Sequence, residues 1–235
     1  MHKIRLNPEV EARVRARRGG DLHVFKSLDA KKTAFVVIDM QDGFVADGHP
    51  AMVKGARDIV PNLNRLAKAL REKGGTVVWV KMVFDEQTKR SWSTFLTEFT
   101  APQMQAALMA SLGAGMPGTR LWHELDVRPG DPVVPKQRFS AFIPGSSDID
   151  NVLKGRGIDT LVIGGTLTNV CCESTARDAS MMNYRTVFLS DGNAAQTDEE
   201  HNAALSALMA LFCDVMTTDE CIARLGAAAG AQAAE

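Results

Sequence analysis

One short stretch of the sequence combines a thiol with a turn and a helix start. The apolar run Leu161-Val162-Ile163 leads into a polar turn at 164–169, and a helix-forming run begins near Val170. This order predicts a strand, a tight turn and a helix, with Cys171 in the helix's first turn. Because the unpaired N–H groups of a helix start carry partial positive charge, we expect a lowered pKa and a larger thiolate fraction at Cys171. The alternative is that Cys171 and Cys172 are buried cysteines that behave as small apolar residues.

Two other chemically suitable residues follow predicted strands. Asp39 ends the apolar run 33–38, and Lys136 ends a short proline-bounded strand that begins at Asp131. The carboxyl ends of parallel strands share one edge of a sheet, so Asp39, Lys136 and Cys171 can converge there. A carboxylate can take the thiol proton and return it to a leaving amine, while an ammonium group stabilises both anions. The set therefore predicts a cysteine nucleophile, although Asp39 could instead cap a turn and Lys136 could be a solvated charge.

Histidine is the more familiar partner of a catalytic cysteine, but no histidine of this chain follows a predicted buried strand. The arm and loops hold His2, His23 and His49, a short segment expected to be helical holds His123, and a late helix holds His201. His49 is nearest to Asp39 in the sequence and stays an alternative partner.

Apolar runs and helical stretches alternate along the chain. The strand-like runs are 33–38, 76–84, 131–136, 159–163, 185–190 and 214–217, and the main helical stretches are 51–73, 101–112, 147–154, 170–179, 198–212 and 218–225. The alternation predicts an α/β fold with a mostly parallel, doubly wound six-stranded sheet that has helices on both faces.

The predicted organisation is a single domain with two extensions. Residues 1–30 form an N-terminal arm with a helix from Asn7 to about Arg18, and we expect this arm to pack on a neighbour or a partner subunit. The domain covers 31–226. The Ala/Gly-rich segment 227–235 is expected to be a flexible tail.

The composition excludes several classes of function. Lys+Arg 27 against Asp+Glu 28 gives a net charge of -1, which argues against nucleic acid or an anionic membrane as partner. The four cysteines include an adjacent pair and form no CxxC motif, so neither a disulfide framework nor a zinc motif is indicated. With no signal-peptide pattern and no long apolar run, we expect a cytoplasmic protein in a reducing compartment.

Three segments of the chain resemble the isochorismatase-like cysteine hydrolases. They are Val36–Gln41, Pro135–Phe142 and Gly164–Ala179, in the family's order and near its separations. The resemblance covers about residues 33–225. Each segment alone is moderately specific, whereas the three together are strongly indicative.

The resemblance implies a role for each matching residue. Cys171 would be the nucleophile, Asp39 the general base and acid, and Lys136 the third member of the triad. The family also has a cis peptide bond in the turn, which here would join Thr166 and Leu167. The N–H groups of Leu167 and Cys171 would then form the oxyanion hole.

Departures from the family pattern narrow the choice of activity. Isochorismatases proper lack the cysteine, so Cys171 argues against vinyl ether cleavage. Nicotinamidase-like members carry an Asp/His metal cluster after the second strand, but 81–87 holds no histidine here, so we expect no metal and no other cofactor. The motifs around Lys136 and Cys171 are more similar to ureidoacrylate and N-carbamoyl amidohydrolases, which release ammonia.

The sequence thus predicts a metal-free cysteine amidohydrolase that cleaves a small amide, ureido or carbamoyl compound through a thioester. The alternatives are an isochorismatase-type or other non-amide hydrolase, a non-catalytic binding protein, and a redox protein using the adjacent cysteines. A redox role is disfavoured because adjacent cysteines bridge only through a strained ring. By the resemblance, we expect a homodimer or homotetramer.

Six residues are expected to contact the substrate. Aromatic and polar side chains near the three segments supply them: Gln41, Phe44, Trp92, Arg138, Phe142 and Thr168. Arg138 could pair with a substrate carboxylate, because guanidinium groups match the geometry of carboxylates.

Overall fold

Helices and strands alternate through the computed structural model, which describes residues 1–226. The strands are β1 (Leu28–Asp29), β2 (Thr33–Ile38), β3 (Thr76–Met82), β4 (Val133–Lys136), β5 (Thr160–Thr166), β6 (Arg185–Ala194), β7 (Asp214–Met216) and β8 (Leu225–Gly226). The α-helices are α1 (Pro8–Arg17), α2 (Asp42–Val45), α3 (Val60–Glu72), α4 (Glu86–Ser91), α5 (Pro102–Leu112), α6 (Ile149–Lys154), α7 (Glu173–Met181), α8 (Asp198–Leu211) and α9 (Thr218–Arg224). Short 3₁₀ turns cover Ala30–Lys32, Arg57–Ile59 and Pro117–Thr119, and π-helical turns cover Thr94–Glu98 and Thr168–Cys172. The predicted tail, 227–235, lies outside the described residues.

A six-stranded sheet in the order β4-β3-β2-β5-β6-β7 forms the centre of the fold, and all its pairs are parallel. This confirms the predicted doubly wound α/β architecture. Every residue of β2 is buried, as its near-continuous apolar sequence predicts for a strand covered on both faces. The chain runs outward from β2 through β3 and β4, then returns to place β5 on the other side of β2. The strand order therefore reverses between β2 and β5, which is where open α/β sheets form their binding sites.

Helix α3 occupies only the later part of the predicted helical stretch 51–73. Residues 51–56 form turns, and the helix starts at Val60 with Pro61 in its first turn. Proline has no N–H to donate, so it is tolerated where a helix begins but not within it. The apolar positions that recur at helical spacing, Leu63, Leu66 and Leu70, are fully buried.

Strand β6 continues to Ala194, beyond residue 190 where its predicted strand run ended. The register between β5 and β6 shifts between Ile163 and Gly165. The buried side chain of Asn193 donates to the carbonyl oxygens of Ile163 and Leu189, which satisfies backbone groups at this irregularity. The Asn193 side chain thus helps hold β6 in the sheet as far as Ala194.

The N-terminal arm packs against its own domain. Helix α1 is capped by the Asn7 side chain, as its sequence predicts, and packs on α8 through buried Val10 and Val14. Arg18 then forms an ion pair with buried Asp214 at 2.6 Å. Within residues 1–226, no helix is both long and apolar enough to cross a membrane.

Candidate active site

The sheet brings together the three residues that the sequence singled out. Asp39 follows β2, Lys136 ends β4, and Cys171 lies in the π-helical turn after β5. The Lys136 ammonium lies 2.9 Å from Asp39 Oδ2 and donates a hydrogen bond to Cys171 Sγ at 3.3 Å. It also donates to the Arg138 carbonyl oxygen at 3.0 Å. All three residues are buried, so the cluster lies inside the protein.

Two unusual backbone conformations bring Asp39 and the turn after β5 together. Asp39 has a φ of 54°, in the left-handed region that non-glycine residues seldom adopt. Such a conformation costs about 1–3 kcal/mol and tends to occur at functional sites. Gly165 has a φ of 125°, and a Cβ there would lie 2.0 Å from the Ile38 carbonyl oxygen. Glycine is therefore required where β5 approaches the end of β2.

The turn that carries Cys171 is held by backbone and side-chain hydrogen bonds. The peptide bond between Thr166 and Leu167 is cis, as the resemblance implied. The Leu167 carbonyl oxygen accepts from the N–H groups of Val170 and Cys172. Within residues 1–226, the Leu167 N–H has no hydrogen-bond acceptor. The expected α-helix begins only at Glu173, so Cys171 precedes α7 in the π-helical turn.

The thiol pKa differs from the sequence-based expectation. Burial raises the pKa of Cys171, and the Asp39 carboxylate raises it further, whereas Lys136 lowers it by a smaller amount. The expectation of a lowered pKa is therefore wrong, because the loss of solvation outweighs the charge of a helix start. With a neutral thiol, the carboxylate and ammonium groups cancel each other's charge, and the cluster is neutral as a whole.

The carboxylate of Asp39 is suited to accept a proton. Burial raises the pKa of this carboxyl, and the attraction of Lys136 opposes the rise. Burial lowers the pKa of Lys136, but Asp39 and Cys171 outweigh it, so the ammonium stays charged. The Lys136 ammonium pairs with Oδ2 at 2.9 Å, whereas Oδ1 has no hydrogen-bond partner among the described residues. Buried acceptors without a partner are uncommon and often mark reactive groups.

A cavity of about 240 Å³ reaches the thiol of Cys171. Its wall is aromatic and aliphatic, and its members include Phe44, Met82, Phe84, Phe95, Leu112 and Phe139. Among the residues that the structure describes as lining this cavity, Phe44 is the one member of the six expected substrate contacts.

The other five expected contacts lie elsewhere. The amide of Gln41 exchanges hydrogen bonds with the Met82 backbone and donates to the Gly118 carbonyl oxygen. Arg138 donates to Ser91 and lies over the ring of Trp92, and both line a surface groove that shares Phe139 with the cavity. Phe142 packs on Tyr184, and Thr168 is paired with His201.

Sequence reasoning missed most of the cavity wall and one histidine. Leu108 and Leu112 are four residues apart on α5, a spacing that puts them on one face of the helix but does not indicate which cavity that face lines. His201 is fully buried, and its ring nitrogens contact Thr168 Oγ1 at 2.8 Å and the Ser190 carbonyl oxygen at 2.9 Å. These contacts link α8 to the turn that carries Cys171. No sequence signal nearby indicated them.

Two other expectations concern histidine and metals. His49 contacts Ser111 Oγ at 2.7 Å and is not hydrogen-bonded to any member of the buried cluster. In the part of the chain that the structure describes, no group of three or more His, Cys, Asp or Glu side chains could hold a metal ion.

Comparison with known proteins supports the resemblance. The profile of the Isochorismatase domain matches residues 33–220. A Bacillus subtilis (strain 168) protein described as "Uncharacterized isochorismatase family protein YwoC" is 31% identical over 196 residues, which are 83% of this chain and 94% of that protein. An Arabidopsis thaliana protein described as a "probable inactive nicotinamidase" is 32% identical over 174 residues, covering 74% of this chain and 86% of that protein.

Solved structures with the same architecture include two hydrolases. A cysteine hydrolase from Pseudomonas syringae pv. phaseolicola 1448A has a TM-score of 0.72 and 27% identity, covering 84% of this chain and 93% of that chain. N-carbamoylsarcosine amidase from Thermoplasma acidophilum has a TM-score of 0.62 and 26% identity, covering 80% of this chain and 97% of that chain.

Proposed function

This chain belongs to the isochorismatase-like hydrolase family, and from that membership we propose that it is a cysteine-dependent amidohydrolase acting on a small amide, ureido or carbamoyl compound. The observation that carries the proposal is the buried cluster in which one ammonium group, Lys136, contacts both the Cys171 thiol and the Asp39 carboxylate. A thiol beside a carboxylate supplies a nucleophile together with its base.

The first half of the reaction forms a thioester. Cys171 Sγ attacks the substrate carbonyl carbon as the thiol proton moves to Asp39, so the cluster keeps its overall charge. The N–H groups of Leu167 and Cys171 stabilise the oxyanion. The C–N bond then breaks, Asp39 returns the proton to the departing nitrogen, and ammonia leaves.

The second half releases the acid. Asp39 takes a proton from water, whose oxygen attacks the thioester carbonyl carbon. The C–S bond breaks, and the sulfur regains a proton as the acid, or the carbamate from a ureido compound, departs. Lys136 keeps its proton throughout and stabilises whichever neighbour is negatively charged.

The proposal is tested by measuring ammonia release across a panel of small amides, ureido compounds and carbamoyl compounds. Cys171→Ala should abolish release, because no other nucleophile lies at this position. Cys172→Ala is the matched control, since Cys172 is equally buried but makes no hydrogen bond to Lys136. Wild-type rates in Cys171→Ala would refute the proposal.

A non-catalytic binding role is the second candidate, favoured by the plant relative described as probably inactive. It predicts that compounds bind in the cavity and are recovered unchanged. The presence of all three members of the cluster in this chain favours catalysis.

A further inference from the structure

The wall of the cavity at Cys171 is apolar throughout. Among the described residues, every side chain that lines it is aliphatic or aromatic apart from the Cys171 thiol. Four of these side chains, Phe44, Met82, Phe84 and Leu112, are themselves buried. The substrate's non-reacting portion would therefore contact only carbon and sulfur atoms of side chains.

A negatively charged group on the non-reacting portion of the substrate would find no side-chain partner among the described residues that line this cavity. Lys136 already contacts Asp39 and Cys171, and a second carboxylate beside them would leave the cluster with excess negative charge. Arg138, the cation expected to pair with a substrate carboxylate, donates instead to Ser91 and does not line the cavity. Burying an ion without a partner is strongly unfavourable.

The size of the cavity sets the scale of the apolar group. An apolar cavity of about 150 Å³ can bind benzene in another protein. The present cavity, at about 240 Å³, is larger. It has room for a branched alkyl chain or an aromatic ring together with the reacting carbonyl group.

We infer that the substrate is an uncharged amide or carbamoyl compound with a compact apolar body, and that anionic analogues are rejected. This inference rests on the proposed function and narrows it. It also separates the chain from amidohydrolases whose substrates carry a carboxylate.

An isosteric pair of substrates tests the inference. 4-Methylpentanamide and succinamate have the same heavy-atom skeleton and differ in having two methyl groups or two carboxylate oxygens at the far end. We expect kcat/KM for the neutral amide to be at least about 100-fold higher, because an unpaired buried charge costs several kcal/mol and each 1.4 kcal/mol is tenfold. Equal or reversed values would overturn the inference while leaving the amidohydrolase proposal standing.

A charge placed in the wall gives a converse test. Leu108 lines the cavity and is partly exposed, so Leu108→Arg can place a guanidinium there without burying it fully. In this variant, kcat/KM for succinamate divided by kcat/KM for 4-methylpentanamide should rise by at least about tenfold, because the guanidinium supplies one charge-assisted contact. The control, Leu211→Arg, changes an exposed leucine outside the cavity and should keep the wild-type ratio. An unchanged ratio in folded Leu108→Arg would count against the inference.

Binding separates the two proposals if turnover is absent. Titration calorimetry with Cys171→Ala should give binding of 4-methylpentanamide and none of succinamate at the same concentrations. Selective binding without ammonia release from the wild type would overturn the amidohydrolase proposal but retain the preference for a neutral ligand. Tighter binding of succinamate would overturn the preference itself.

Discussion

Acidification should destabilise this protein through one buried histidine. Because the Ser190 carbonyl oxygen can only accept, His201 Nε2 must carry the proton of the neutral ring, and Nδ1 accepts from the Thr168 hydroxyl. The pKa of His201 is lowered from 6.5 to about 4. Burial is the largest cause of this shift, and the stacked His2 ring is the second. The folded protein therefore resists protonation at a position where the unfolded chain accepts a proton.

The sign and size of the effect follow from these two pKa values. Above pH 6.5 the ring is neutral in both states, so it contributes no pH dependence. As the pH falls from 6.5 to about 4, the unfolded state gains a proton that the folded state does not, and stability is lost progressively. At about 1.4 kcal/mol per pH unit, the loss reaches roughly 3 kcal/mol and then levels off.

Urea unfolding at a series of pH values measures this loss. His201→Gln should be less stable than the wild type at neutral pH. Because it lacks the titrating ring, its free energy of unfolding should fall by roughly 3 kcal/mol less than that of the wild type between pH 6.5 and about 4. His123→Gln removes an exposed ring and should keep the wild-type slope. Parallel curves for the wild type and His201→Gln would refute the reasoning.

Three further predictions concern the site itself. Burial raises the pKa of Asp39 above the ordinary 3.8, and catalysis needs the carboxylate, so kcat/KM should fall as the pH drops through that raised pKa. A pH–rate profile with no acidic limb would contradict this. Gly165→Ala places a Cβ 2.0 Å from the Ile38 carbonyl oxygen and should lower the free energy of unfolding by about 3 kcal/mol or more in thermal unfolding. The control Gly130→Ala meets no atom within 4 Å and should cost about 1 kcal/mol. Similar losses in the two variants would contradict the close approach of β5 to the end of β2. Lys136→Met leaves the Asp39 carboxylate buried without its partner and should lower the free energy of urea unfolding by about 3–5 kcal/mol. The double variant with Asp39→Asn should recover most of this loss. Additive losses from the two substitutions would argue against a coupled pair.

Much of the fold was predictable because buried parallel strands have a distinctive sequence pattern. The run 33–38 is apolar at every position except Thr33 because helices cover both faces of the sheet, and it matches β2 residue for residue. The convergence of Asp39, Lys136 and Cys171 was predictable for a related reason. Residues at the carboxyl ends of parallel strands must share one edge of the sheet, whatever their separation in sequence.

The remaining features depend on tertiary contacts that local patterns do not specify. Burial decides the direction of the Cys171 pKa, whereas its position at a helix start suggested the opposite. The cavity wall combines Phe44, Leu108 and Phe139 from separate segments, so no periodicity indicates that they meet. Arg138 lies next to the cluster in sequence, but its contact with Ser91 directs it into another groove.

The central claim is that Cys171 Sγ forms a covalent bond with the substrate carbonyl carbon. Rapid acid quenching of the wild-type protein during turnover of 4-methylpentanamide, followed by peptide mass spectrometry, tests it most directly. We predict an acyl adduct on Cys171, with Cys172 unmodified and with no adduct in Cys171→Ala. Steady ammonia release by Cys171→Ala, or turnover with the acyl group on another residue, would contradict the account.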